Sequence, residues 1–315
     1  MDRRLGRARA ATDPRARHSE CRPGPWHRGL TAVTSSFAAE LFKLRRRPAV
    51  WILGAILLIL TALLGYLIFW IVLSHPPAHA QFPPHYDRVA AKAIFYPPNV
   101  VRAVIGNGGA VGGGALCMIL GVLAVGSEYG WETFKTVLTQ RPSRLASFFG
   151  RALAVALLTL VFVVAVYIVA LIVSVILVSV DGRPLRWPDS GTLLKGLGAT
   201  WLAYYIWATF GMMLAYLFKQ SALAIGIGLV YMLLIEGLVI NLLLPLGDWV
   251  KDLQRFLPGP ATTALGNAFG QAYTAPGAPV TPLLMDGTRA TITLLICVVV
   301  FTAVAALALK RRDVS

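Results

Sequence analysis

The side chains that could do chemistry are few. Glu236 is the only acidic residue well inside an apolar run, and an ionisable group at that depth is costly unless it meets a partner or water. Asn107, in another apolar run, is expected at a similar depth, so both are candidates for an interior pathway near an outer gate. A protonated Glu236 bonded to a neighbouring helix is an equally open reading. The histidines, His18, His27, His75, His79 and His85, fall outside the apolar runs, and none forms a His-Glu-x-x-His helix. His75, His79 and His85 could meet a metal, but the proline pairs around them read as a spacer, and no metal site is assigned. Cys21, Cys117 and Cys297 are odd in number and far apart, so they form neither a disulfide framework nor a metal set. No Gly-x-x-x-x-Gly-Lys-Ser/Thr loop and no Gly-x-Ser-x-Gly elbow is present, which leaves no catalytic residue to assign and no enzyme to expect.

The elements that position these groups are membrane elements. Of 315 residues, 57% are hydrophobic and 14% charged, and the mean hydropathy is +0.68, whereas a soluble domain carries about 25% charged residues. The net charge of +15 does not point to nucleic acid, because basic residues crowd the first 50 positions and the C-terminus and are not interleaved with stacking aromatics. That placement suits an anionic cytoplasmic leaflet. Spanning a hydrocarbon core of about 30 Å takes roughly 20 apolar residues. Six stretches qualify, at about 49–73, 101–125, 152–180, 193–217, 222–244 and 290–309. The expected class is therefore all-α: a polytopic membrane protein with six transmembrane helices and a cytoplasmic N-terminal interfacial helix. Residues 1–30, with eight arginines and little apolar clustering, read as a disordered basic tail. Residues 31–48 read as the interfacial helix, with Val33, Phe37, Leu41 and Leu44 at helical spacing. Residues 49–312 hold the six spans. Arg45, Arg46 and Arg47 abut the first span and Lys310, Arg311 and Arg312 the last, placing both termini in the cytoplasm; basic residues in the internal loops decide nothing by themselves.

Small residues in the second span, Gly108 with Gly112 and Gly109 with Gly113, have the spacing that lets helices approach closely. Trp201, Tyr204, Tyr205, Trp207 and Tyr216 decorate the fourth span, where an interfacial belt is the common reason for aromatics. Between the second and third spans, Trp131, Phe134 and Leu138 share one helical face, with Glu128, Glu132 and Lys135 to the other side. A short amphipathic helix along the cytoplasmic surface is expected there, ended by Pro142.

The order of these pieces resembles the ABC-2 type permeases. The resemblance is carried by Ala39 to Arg47, by Gly126-Ser127-Glu128-Tyr129-Gly130-Trp131-Glu132-Thr133 with the turn Leu138-Thr139-Gln140-Arg141-Pro142-Ser143-Arg144, and by Leu257-Pro258-Gly259-Pro260-Ala261. It implies the transmembrane subunit of an ATP-binding cassette exporter in the cell membrane, pairing with a second copy or a homologue and with a separate ATPase subunit. That partner would bind ATP and magnesium; this chain would hold no cofactor. It also implies that Glu128, Glu132, Lys135, Arg141 and Arg144 receive the ATPase stroke, although a loop of water-facing charges would look the same. A self-contained secondary transporter would need titratable groups in several spans, and an intramembrane enzyme convergent catalytic groups at one depth; Glu236 stands alone.

Overall fold

A computed structural model of the protein describes residues 25–76, 87–108, 112–130, 144–243, 247–270 and 284–310. The expected tail falls almost wholly outside them, as do His79, His85 and most of the segment joining the second and third spans. The described residues are helical and contain no strand.

Five helices are long and apolar enough to cross a bilayer, the composition of a polytopic membrane protein. They are α2 (Pro48–Ser74), α6 (Leu145–Val180, begun at Arg144), α7 (Ser190–Phe218), α8 (Ser221–Val239) and α11 (Gly287–Lys310). Of the stretch 101–125, expected as one span, the described residues form α4 (Val100–Gly108) and α5 (Gly114–Gly130), and residues 109–111 lie outside them. Gly106, Gly108, Gly109 and Gly112 to Gly114 cluster at the division. The remaining helices are α1 (Pro25–Arg46), α3 (Arg88–Ala91), α9 (Asp248–Gln254) and α10 (Pro258–Asn267).

The bundle is built around α7. Trp207, Tyr204 and Tyr216 are fully buried, so the aromatics of the fourth span are largely core rather than an interfacial belt. Helix α5 lies against α7 closely enough that side chains are excluded. A Cβ on Gly121 would sit 2.0 Å from the Ala208 carbonyl oxygen, and one on Gly211 would sit 2.1 Å from that of Met118. Small residues thus set the approach of these backbones, as they do wherever membrane helices pack without a hydrophobic drive. The glycines that do so lie further along the chain than the Gly108 to Gly113 set, part of which is outside the described residues. Leu153, Leu157, Val161, Val164, Ile168 and Ile172 on α6 stay exposed, as do Ile292, Leu295, Ile296 and Val299 on α11, an apolar perimeter suited to a bilayer.

Helix α6 runs 37 residues, about 55 Å at 1.5 Å per residue, longer than a hydrocarbon core of about 30 Å. Helix α1 packs along the overhang. Its most buried stripe is Ser36, Glu40 and Leu44, with Phe37 and Leu41 half-buried beside it. The contact face is therefore rotated from the Val33, Phe37, Leu41 and Leu44 stripe expected from hydropathy. The reason is steric and electrostatic: Gly150 of α6 would place a Cβ 2.6 Å from Ser36 Cβ, and Glu40 has a cationic partner inside.

Candidate functional site

Two polar constellations hold the bundle at the level where its elements meet, and a third closes the far end. The first ties α1 to the bundle. Arg151 Nη2 lies 3.3 Å from Glu40 Oε1, and both side chains are only 3% exposed. Arg151 Nη1 donates to the Tyr216 hydroxyl at 3.1 Å, while Lys43 Nζ reaches the same Glu40 oxygen at 3.2 Å from the rim. One guanidinium thus joins three helices, which its planar fork can do and an ammonium cannot. Arg47 Nη1 adds a bond of 3.1 Å to the Leu123 carbonyl on α5. Sequence analysis did not single out Arg151. The signal was there: a single arginine one to two turns inside the apolar run beginning at Leu145 has to find an acid.

Two of the expected coupling residues are described. Glu128 lies in the last turn of α5 and Arg144 is the first residue of α6. Glu132, Lys135 and Arg141 lie outside the described residues. The segment that contains them therefore leaves α5 and enters α6 beside the α1 contact.

The second constellation is built on Glu236. Helix α8 is π-helical over Tyr231–Val239, a local widening that displaces side chains from the regular α register, and Glu236 sits within it, 7% exposed. Its Oε2 accepts from the Gly259 amide at 2.9 Å, and Tyr231 bonds the same carboxylate. Gly259 is the second residue of α10, and most of that helix is buried against α11 and α4. A helix N-terminus in such surroundings has donors with nowhere to go. Here Pro258 and Pro260 carry no N–H, the Leu257 amide donates to Gln254 O, and the Ala261 amide to Leu257 O. Only the Gly259 amide is left over, and Glu236 takes it. The Pro-Gly-Pro sequence thus reduces an N-terminus to a single unsatisfied donor, and a Cβ on Gly259 would lie 2.1 Å from Glu236 Oε2, so a larger residue there would push the carboxylate off the amide. The carboxylate also faces the positive end of the helix dipole. Glu236 is thus held on the first turn of α10. Asn107 is on α4, whose Ile105 packs on Gly266 of α10, so α10 is the element between the two candidates; the Asn107 side chain lies outside what is described. Helix α9, just before, exposes Trp249 and Leu253, and the turn after it exposes Phe256, an apolar edge leading into the buried α10.

The third constellation lies beyond the opposite end of α6. Asp181 accepts from Trp70 Nε1 and the Tyr96 hydroxyl at 2.9 Å each, and from Lys92 Nζ at 3.2 Å. Burial by itself would raise the Asp181 carboxyl, but these three donors outweigh it and hold the group below the ordinary carboxylate range. Burial and the bond to Asp181 push the Tyr96 hydroxyl up to about 12. One carboxylate therefore straps the segment around α3 across the ends of α2 and α6.

Among the described residues no group of three or more His, Cys, Asp or Glu side chains could hold a metal ion. The chain belongs to DUF2705, a family of proteins of unknown function, whose sequence profile matches residues 115–315. That match begins at α5 and takes in every later element. No curated protein matches the chain.

Proposed function

We propose that this protein is the transmembrane permease subunit of an ATP-binding cassette exporter of the ABC-2 type, moving substrate with the work of a separate ATPase subunit and paired with a second permease copy or homologue in the cell membrane. The observation that carries the reading is the buried Glu40, Arg151 and Tyr216 tie. A motor pushing on α1 or on the segment between α5 and α6 needs a stiff connection to the spans, and this tie fastens α1 to α6 and α7 at the end where that segment emerges. The second support is α10, a buried short helix between spans, made possible by Pro-Gly-Pro and Glu236 where the resemblance places the outer-loop motif. The cations flanking α2 and α11 support this reading, in which both termini, α1 and the connection between α5 and α6 face the cytoplasm, within reach of such a partner. Membrane lipids are the remaining partner; nucleic acid is not one.

The test is co-expression with the cassette ATPase encoded nearest the gene. Single cysteines replacing Glu132 or Lys135 should cross-link to that ATPase and should react with membrane-impermeant maleimide only in inverted vesicles. Labelling of these positions from outside intact cells would sink the assignment. So would substrate transport by the purified chain with no ATPase present.

A further inference from the structure

We infer that the groove between α1, α6 and α7 is a built site for one acyl chain of a membrane phospholipid. The groove encloses about 340 Å³, and its wall is almost wholly apolar. Val33 and Phe37 come from α1, Leu153, Leu157 and Leu160 from α6, and Trp201 from α7.

Three observations commit the occupant. Water is a poor tenant, because a buried water needs two to four polar partners, and the indole N–H in the wall is already spent on the Ala156 carbonyl at 2.9 Å. The mouth is continuous with the bilayer-facing surface: Leu153 and Leu157 line the groove and are also about half and a third exposed, in register with the exposed Phe149 one turn earlier and Val161 one turn later. Finally, a space of about 340 Å³ is at the low end of the roughly 300–1,000 Å³ of small-molecule sites, the scale of one chain segment and too little for a helix. The indole of Trp201 lies flat on the Tyr205 ring, centroids 5.3 Å apart and 4° from parallel, so the back wall is rigid. An empty apolar groove of this kind forfeits dispersion contacts along its whole lining, and a bilayer supplies chains at high local concentration. A chain seated there packs against α1 on one side and α6 and α7 on the other, so the lipid becomes part of the joint that the Arg151 tie fastens. The inference requires only that the chain resides in a membrane.

The experiment uses the full chain purified from membranes into detergent micelles loaded with a phosphatidylglycerol carrying a diazirine near the end of one acyl chain. The sample is washed with lipid-free detergent, photolysed and mapped by peptide mass spectrometry. Adducts at 153–160 and at Trp201 should survive the wash at about one per chain, while adducts on the exposed α11 face around Leu295 and Ile296 fall at least tenfold. Thr34→Trp, at the exposed rim, and Ala156→Leu, in the wall, should each lower the retained adduct at least fivefold with an unchanged gel-filtration profile. Thr34 faces outward, so its replacement tests the groove without depending on core repacking. Groove adducts that wash away in step with those on α11 would overturn the proposal, as would full retention in both variants.

Discussion

Replacing Arg151 by methionine tests the tie between α1 and the bundle most directly, because the consequence can be worked from the geometry. The substitution keeps an unbranched stem and removes the guanidinium, leaving the Glu40 carboxylate, 3% exposed, without its internal partner. Breaking a buried ion pair from one side costs about 3–5 kcal/mol. Lys43 remains 3.2 Å from the same oxygen and is 36% exposed, so it offsets part of the loss and places the expected cost near the low end, about 3 kcal/mol. Glu40→Gln should cost a similar amount, because it leaves the guanidinium facing a neutral amide and the Tyr216 hydroxyl. The double variant Glu40→Gln with Arg151→Met strands no charge, so it should cost at least about 2 kcal/mol less than the sum of the two singles, the signature of directly coupled residues. Arg151→Lys should fall in between, because one ammonium cannot reach both Glu40 and Tyr216 with matched geometry. Unfolding with SDS in mixed micelles, followed by tryptophan fluorescence and checked for reversibility, measures all four. Single costs below about 1 kcal/mol with strict additivity, the behaviour of an exposed pair, would refute the claim that this tie is buried and stiff.

The capping of α10 makes a graded prediction. Glu236→Gln keeps an acceptor for the Gly259 amide and should fold normally, whereas Glu236→Leu strands that donor and should cost about 1–3 kcal/mol in the same assay. Gly259→Ala should be at least as damaging as Glu236→Leu, because its methyl group occupies the carboxylate oxygen's position. At the α5 and α7 contact, Gly121→Ala or Gly211→Ala should destabilise by about 1–3 kcal/mol or prevent accumulation in membranes, read by detergent gel filtration; the receiving atoms are backbone carbonyl oxygens that no rotamer change can move. At the far end the sign follows from Asp181 being depressed in the folded state. Its stabilisation is present above the ordinary carboxylate range and is lost as pH falls through the lower folded value, so Asp181→Asn should flatten the acid arm of a thermal-stability profile. Tyr96 works in the opposite sense. Its neutral form is favoured by folding, so its contribution is full below the ordinary phenol value and fades as pH rises toward about 12. Tyr96→Phe should remove that alkaline dependence.

The amino-acid sequence by itself determined what depends on composition and one-dimensional period. Long uncharged apolar runs must become helices in a bilayer because no other local structure satisfies the backbone there, and five of them were legible to within a few residues. The amphipathic stretch before the first span was legible as a helix for the same reason, and Glu236 as a residue that must have a partner. What only the tertiary structure decided was which surfaces meet. Hydropathy pointed α1 toward Val33, Phe37, Leu41 and Leu44, but the contact stripe is Ser36, Glu40 and Leu44, because a glycine on α6 admits Ser36 and an arginine awaits Glu40. The aromatics of α7 look like belt residues in one dimension and are core in three, since α4, α5, α6, α8 and α11 all pack on the same helix. The partner of Glu236 lies 23 residues away on an amide that two prolines leave as the sole surplus donor. Period reports which residues share a face; the identity of the opposing face is a property of long-range packing, where a missing Cβ or one paired charge outweighs an averaged hydropathy.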